Sequence, residues 1–387
     1  FVTDIERTTW RFFTSTSEIE LAVDVGQVAA PGAVQAIAEV ELELKHGARR
    51  DLFTLARLLV EQQPLRIAVQ SKSERGYLLA RGEAMQSLTA EPLKLWKEAR
   101  AGDAFGAIAH ACLRHFRLNE PFLTDTRASE PLHQARVAIR RLRSAMSLFQ
   151  GIVADGESAS HAGWLRGFSS RLGDARNLDV FLAHLSEAGE AGQPGLMPNV
   201  EAARETAYDA VLQTLGSTDF IVHMLQFVAW IECGAWRGGD NAARPLEKTA
   251  KALLRRRWQK VKKAGKGFEG LTSDQRHSLR IKAEKLRYAC EFFSGLFDDK
   301  AERKRRKPFL TTLEQLQTFL GELNDIETGD TLVGRLANDV QTSDNEPGSG
   351  LSRMREAGEA RRRREPELIA SAAQAFGRLR KLSKFWA

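Results

Sequence analysis

Two periodicities divide the chain. Up to about residue 82 apolar and charged side chains alternate at every second position. Glu18–Val25 (EIELAVDV) sets Ile19, Leu21, Val23 and Val25 against Glu18, Glu20 and Asp24. Glu39–Lys45 (EVELELK) sets Val40, Leu42 and Leu44 against Glu39, Glu41, Glu43 and Lys45. Period two predicts β-strands. A helix is expected over Asp51–Gln62, stopping before Pro64, with two short strands near Leu65–Gln70 and Tyr77–Ala80 on either side of SKSERG. Gly82–Pro92 reads as the linker to a long helical run. There the apolar positions predict helices at 101–118, 131–150, 161–188, 200–215 and 219–235, then at 245–263, 273–297, 301–338 and 351–386. Gly- and Pro-rich stretches at 189–199, 237–245, 265–273 and 342–350 separate them. The 301–338 helix is expected to break near Leu320, and Asn345–Gly350 (NEPGSG) to be a mobile loop.

The helical part is organised around PLHQARVAIRRLRSAMSLFQ, residues 131–150. On a helix turning roughly 100° per residue, His133, Arg136, Arg140 and Arg143 share one stripe less than a quarter-turn wide, with Arg141 alongside. Ala135, Ile139, Leu142, Met146 and Phe149 form the adjacent apolar stripe. Like charges three or four residues apart repel by a few tenths of a kcal/mol per pair. A helix that repeats the arrangement either leaves the charges in water or keeps them for an anion. The design returns in HSLRIKAEKLRYACEFFSGLF: His277, Arg280 and Arg287 keep the spacing, Lys282 and Lys285 lie between them, and Glu284 takes the place of Arg140. Leu172–Leu182 (LGDARNLDVFL) follows the first helix and Leu320–Gly329 (LGELNDIETG) the second. Two matched pairs in the same order indicate an internal duplication.

These helices resemble the CHAD domain, the "conserved histidine α-helical domain", from about residue 90 to the C-terminus. The resemblance implies a mainly α fold of two antiparallel helical bundles related by a pseudo-twofold, with halves at about 93–236 and 245–387. It also implies a basic cavity holding inorganic polyphosphate; bringing the protein to polyphosphate granules is the role expected to follow from such binding. The polyphosphate-binding residues on this reading are His133, Arg136, Arg140, Arg141, Arg143, His277, Arg280, Lys282, Lys285 and Arg287.

Alternation in residues 1–82 alone favours a sheet with one wet face over a barrel whose charged face points inward. EIELAVDVG, EVELELK and SKSERGY, in that order, resemble the second half of a CYTH domain, the triphosphate tunnel fold. On that resemblance residues 1–82 form a partial antiparallel β-barrel of α+β type and 83–92 the linker to the helical domain at 93–387. Arg7, Glu20, Asp24, Glu41, Glu43, Lys72 and Arg75 match the tunnel-lining pattern, with Glu41 and Glu43 as candidate ligands for Mg or Mn. The family's opening Glu-x-Glu-x-Lys strand would lie before Phe1, so the chain, which lacks an initiator Met, is expected to be a fragment and the tunnel set incomplete.

Charge sharpens this division. The net charge is +7 overall; residues 1–82 hold 10 basic and 11 acidic side chains, so the helical part carries the excess. Cys112, Cys233 and Cys290 are too scattered for a zinc site and suit a reducing, cytoplasmic compartment. Phe220–Trp236 is too often interrupted by polar residues to span a membrane. No phosphate loop, His-Glu-x-x-His or triad spacing is present. His133 and His277 have cationic neighbours that would repel a metal. Arg176, Asn177, Asp179, Asn324 and Asp325 are expected to orient the basic helices rather than touch ligand. Arg255–Arg257 with Lys260 extend the cavity or form a solvated face. The functional classes in play are a polyphosphate-binding module, an inorganic triphosphatase acting through the N-terminal tunnel, and a basic surface that attracts nucleic acid non-specifically.

Overall fold

The structure is a computed structural model that describes residues 1–82, 87–187, 197–341 and 362–387. Three antiparallel strands, β1 (Val2–Phe13), β2 (Glu18–Ala30) and β3 (Ala33–His46), form an open meander in the order β1-β2-β3. Pro31 and Gly32 make the β2–β3 turn. Proline presets one turn dihedral, and Gly32 adopts φ +81°, which residues with a Cβ resist. The alternation of β2 places Ile19 and Leu21 in a buried layer. It does not hold to the end of the strand: Val25 is 55% exposed, and Asp24 on the opposite face is fully buried.

Helix α1 (Arg49–Gln62) follows β3, and α2 (Lys72–Ala80) packs on β2 and β3. The expected strands at Leu65–Gln70 and Tyr77–Ala80 are absent, so the partial barrel reduces to three strands that do not close. Ser71 caps α2 and Glu74 returns the bond, a complete capping box that starts a helix inside SKSERG. The preceding segment has no strand partner; its carbonyls at Ile67 and Val69 accept from Arg117 and Arg114 instead.

The rest of the described chain is helical: α3 (Ala101–Thr126), α4 (Ser129–Phe149), α5 (Ser158–Glu187), α6 (Met197–Leu215), α7 (Thr218–Cys233), α8 (Leu246–Ala264), α9 (Ser273–Phe292), α10 (Lys300–Gln341) and α11 (Glu365–Lys381). The α10 helix passes Leu320 without a break, because Leu313, Leu316, Leu320 and Leu323 keep one buried stripe through Gly321. Of the expected 351–386 helix, 351–361 and the Asn345–Gly350 loop lie outside the described residues. In the first half α4 packs on α3 and α5; in the second α9 packs on α8 and α10, and α4 meets α9. One apolar core runs through both halves, including Phe105, Phe149, Trp230, Phe293 and Phe309. Cys112 and Cys290 are buried within it as free thiols. Among the described residues no helix is long and apolar enough to cross a membrane.

Candidate anion-binding site

The basic stripes of α4 and α9 meet where the two halves join. Arg140 donates to Glu284, 144 residues further along the chain. Phe149 lies 5.9 Å from Phe293, its counterpart at the same separation. Two contacts in one register, spread over about 13 Å of helix rise, mean that α4 and α9 run parallel with equivalent positions opposed.

The predicted cations divide into two groups. Arg140 is satisfied by Glu284; Arg141 bonds Glu291 and lies over the rings of Tyr288 and Phe292; Arg287 reaches the same Glu291 at 2.5 Å. Glu291 was not among the expected residues, although its position four after Arg287 marks it as a helical ion-pair partner. The second group has no carboxylate within ion-pair distance among the described residues: Arg136, Arg143, Arg280, Lys282 and Lys285. Arg143 donates to Ser169 Oγ at 2.8 Å, and Lys282 to Ser278. Arg280 keeps a buried Nε with no partner, Asp325 acting on it only at longer range.

Electrostatics follow from this crowding. Burial, then the charges of Arg140 and Arg280, pushes Arg136 down to about 10, a cost on the order of 3 kcal/mol against its charged form. Burial likewise lowers Arg143 and Lys285, helped by neighbouring cations. His133 is lowered by burial and by Arg176, Arg136 and Arg140, against a smaller opposing effect of Glu130.

The Leu-Gly-acid segments support these stripes. A Cβ on Gly173 would lie 2.8 Å from Arg136 Nη1, so the guanidinium rests closely against α5 at this glycine. Arg176 donates to Ser129 Oγ at 2.6 Å, and His277 Nδ1 to Asn324 Oδ1 at 2.6 Å. Asp179 is spent on Arg204 and Tyr208, each at 2.8 Å. Exposed His277 opens a small pocket of about 210 Å³ with Arg276, Asn324 and Arg362. A larger groove of about 840 Å³ lies at the far end of α4, against α8.

In the N-terminal part, Asp24, Glu39 and Glu41 bring carboxylate oxygens within 4.8 Å of one another. Glu39 was missed in the sequence, although it stands opposite Asp24 in the β2–β3 register. Lys72 already occupies the middle of this set, 2.6 Å from Asp24 and 2.8 Å from Glu41, and it also bonds Glu39. Arg7 bonds Asp24 and Glu41 at 2.6 Å, and Arg75 bonds Glu39 at 3.0 Å. Arg7 above all, with Lys72, pulls Asp24 down to about 2. Burial opposes protonation of Lys72, but its three carboxylate partners raise it above the usual lysine value. Glu20 and Glu43 lie apart from this set and share Lys45, at 3.1 and 2.9 Å. Three carboxylates matched by three cations do not fit a resident Mg or Mn, since the ion would have to displace Lys72. Of the two expected ligands, Glu41 belongs to this set and Glu43 pairs with Lys45 instead.

A family model for the CHAD domain matches residues 107–334. The chain belongs to the CHAD domain family. The crystal structure of the CHAD domain from the plant Ricinus communis is 25% identical and superposes with a TM-score of 0.64 over 77% of this chain and 98% of that one. PptA from Streptomyces chartreusis, at 17% identity and a TM-score of 0.50 over 72% of this chain and 100% of that one, shares the fold. An inorganic triphosphatase of Haemophilus influenzae is 38% identical over 98 residues. The match takes in 25% of this chain, which spans about a quarter (27%) of that relative's length.

Proposed function

We propose that this CHAD protein binds inorganic polyphosphate along the facing stripes of α4 and α9. The observation that carries the reading is the group of half-buried cations without a carboxylate within ion-pair distance among the described residues: Arg136, Arg143, Arg280 and Lys285. A chain of phosphates supplies many closely spaced negative charges and nothing else to read, so its receptor needs fixed cations rather than groove-reading side chains. Arginine forks suit phosphate oxygens bidentately and lysine adds point charge. On this reading the helical part is two bundles, about 93–236 and 245–387, related by a pseudo-twofold. The Arg140–Glu284 and Phe149–Phe293 contacts support it, since positions that meet their own equivalents lie along such an axis.

The test is a competition titration of the full chain. Labelled long-chain polyphosphate is challenged with RNA of matched charge at about 50 and 200 mM salt, a range over which loose phosphate contacts lose orders of magnitude in affinity. Polyphosphate is expected to resist displacement. Arg136→Ala with Arg280→Ala is expected to weaken binding at least about tenfold, roughly 1.4 kcal/mol, with helical content unchanged. Equal displacement and equal salt slopes would reduce the site to a basic surface.

A second reading, hydrolysis of triphosphate by the N-terminal part, is favoured by the Haemophilus influenzae relative. It requires Lys72 to leave the acidic set, and phosphate release from tripolyphosphate with and without added Mg or Mn tests it.

A further inference from the structure

The groove at the end of α4 is lined by Arg244, Lys248, Arg256, Arg257 and Lys260 with Ser147, and no acidic residue lines it among the described residues. None of its five cations has a carboxylate within ion-pair distance among the described residues. Arg257 is the telling member. It is only 7% exposed, yet among the described residues its guanidinium has a single neutral partner, Ser147 Oγ at 3.1 Å. Truncating such a group is easy for a sequence, and keeping a lone buried charge is costly unless something pairs with it. Burial, then Arg256, pushes Arg257 down to about 10, and Lys260 is lowered by burial and by the same arginines.

Comparison of the two halves strengthens the case. Helices α3 and α8 meet at their N-termini through a backbone bridge between Arg100 and Pro245. Aligned from that bridge their buried faces coincide: Phe105 with Ala250, Ala109 with Leu254, Leu113 with Trp258, Phe116 with Val261. Arg257 then falls where α3 buries Cys112. On the α3 side the corresponding space is taken by the chain itself. Leu88 is held through its backbone by Asn119 and His115, Leu95 is buried, and Leu93 and Leu95 lie against Gly295 beyond α9. One groove is covered by the 88–95 segment, anchored by buried Leu95; its counterpart on α8 is open and cationic.

We propose that the α4–α8 groove is a second condensed-phosphate site. It takes the continuation of a long polyphosphate chain whose first part lies on the α4–α9 stripes, and so rests on the reading above. Ser147 stands four residues after Arg143 on α4, about 6 Å further along the helix, and Lys285 links the two groups by lying close enough to feel both Arg143 and Arg257.

Arg256 and Lys260 are exposed, so their replacement does not threaten the fold. Full-length Arg256→Gln/Lys260→Gln, Arg136→Gln/Arg280→Gln and a surface control, Lys304→Gln/Lys307→Gln, are titrated with tripolyphosphate and with long-chain polyphosphate. The groove variant is expected to lose about tenfold for the long chain and less than about twofold for tripolyphosphate, while the stripe variant loses affinity for both. A groove variant indistinguishable from the surface control would overturn the proposal. Loss in the groove variant with no loss in the stripe variant would sustain the groove and sink the central reading instead.

Discussion

At the scale of single residues, the histidines carry a pH dependence of definite sign. His133, His115 and His161 are all lowered from 6.5, first by burial. Below 6.5 the unfolded chain therefore binds more protons than the folded one, so the folded state loses stability as pH falls from about 6.5 through the lowered values and is insensitive above. Denaturant midpoints between pH 7.5 and 5 are expected to decline, and His133→Asn to flatten part of the decline. Polyphosphate beside His133 acts in the opposite sense, favouring imidazolium. Binding at pH 6 is accordingly expected to take up protons, read as a dependence of the binding enthalpy on buffer ionisation heat. Uptake that persists unchanged in His133→Asn would exclude this residue as the source.

At the scale of elements, α4 and α9 are legible in the sequence because a buried stripe and a charged stripe repeat side by side, and no tertiary contact is needed to see them. What cannot be seen is which cations are free. Arg140, Arg141 and Arg287 look like Arg136 and Arg143 along the chain, and only the packing of α4 on α9 brings Glu284 and Glu291 to them. Arg257 was legible in principle: it stands three after Leu254 and four before Val261, inside the apolar stripe, but the Arg255–Arg257 run hides it among solvated neighbours. The α2 helix was equally readable from Ser71 and Glu74, whereas the short apolar run Tyr77–Ala80 reads as a strand on composition alone. The capping box also makes a prediction. Ser71→Ala is expected to cost about 1 kcal/mol and to loosen α2, which carries Lys72 and Arg75 to Asp24, Glu39 and Glu41. Faster amide exchange over residues 72–80, with α4 and α9 unchanged, is the expected readout; exchange unaltered there would mean the ion pairs alone hold the helix.

At the scale of the whole molecule, the two helical stretches on either side of residue 240 do not stand as separate units. A single apolar cluster contains α3, α4, α8 and α9 side chains, and Phe149 and Phe293 pack directly across the junction. Buried area shared in this way couples the halves, because opening either one exposes apolar surface of the other. Calorimetry of the chain is therefore expected to show the helical part unfolding in one transition. Phe149→Ala removes a fully buried ring from the first half, at a cost of about 3–5 kcal/mol, and is expected to lower that one transition rather than split it. Two resolved transitions, with the second-half one unmoved, would mean that the halves fold independently. The same experiment reports on the ligand. A polyanion bound to both α4 and α9 stabilises the folded state in proportion to the logarithm of its concentration over Kd, and it can do so only while both stripes are in place. Polyphosphate is thus expected to raise the single transition of the native chain, and to raise that of Phe149→Ala by less if the substitution shifts α4 relative to α9. An equal rise in both would place the ligand's grip away from the junction.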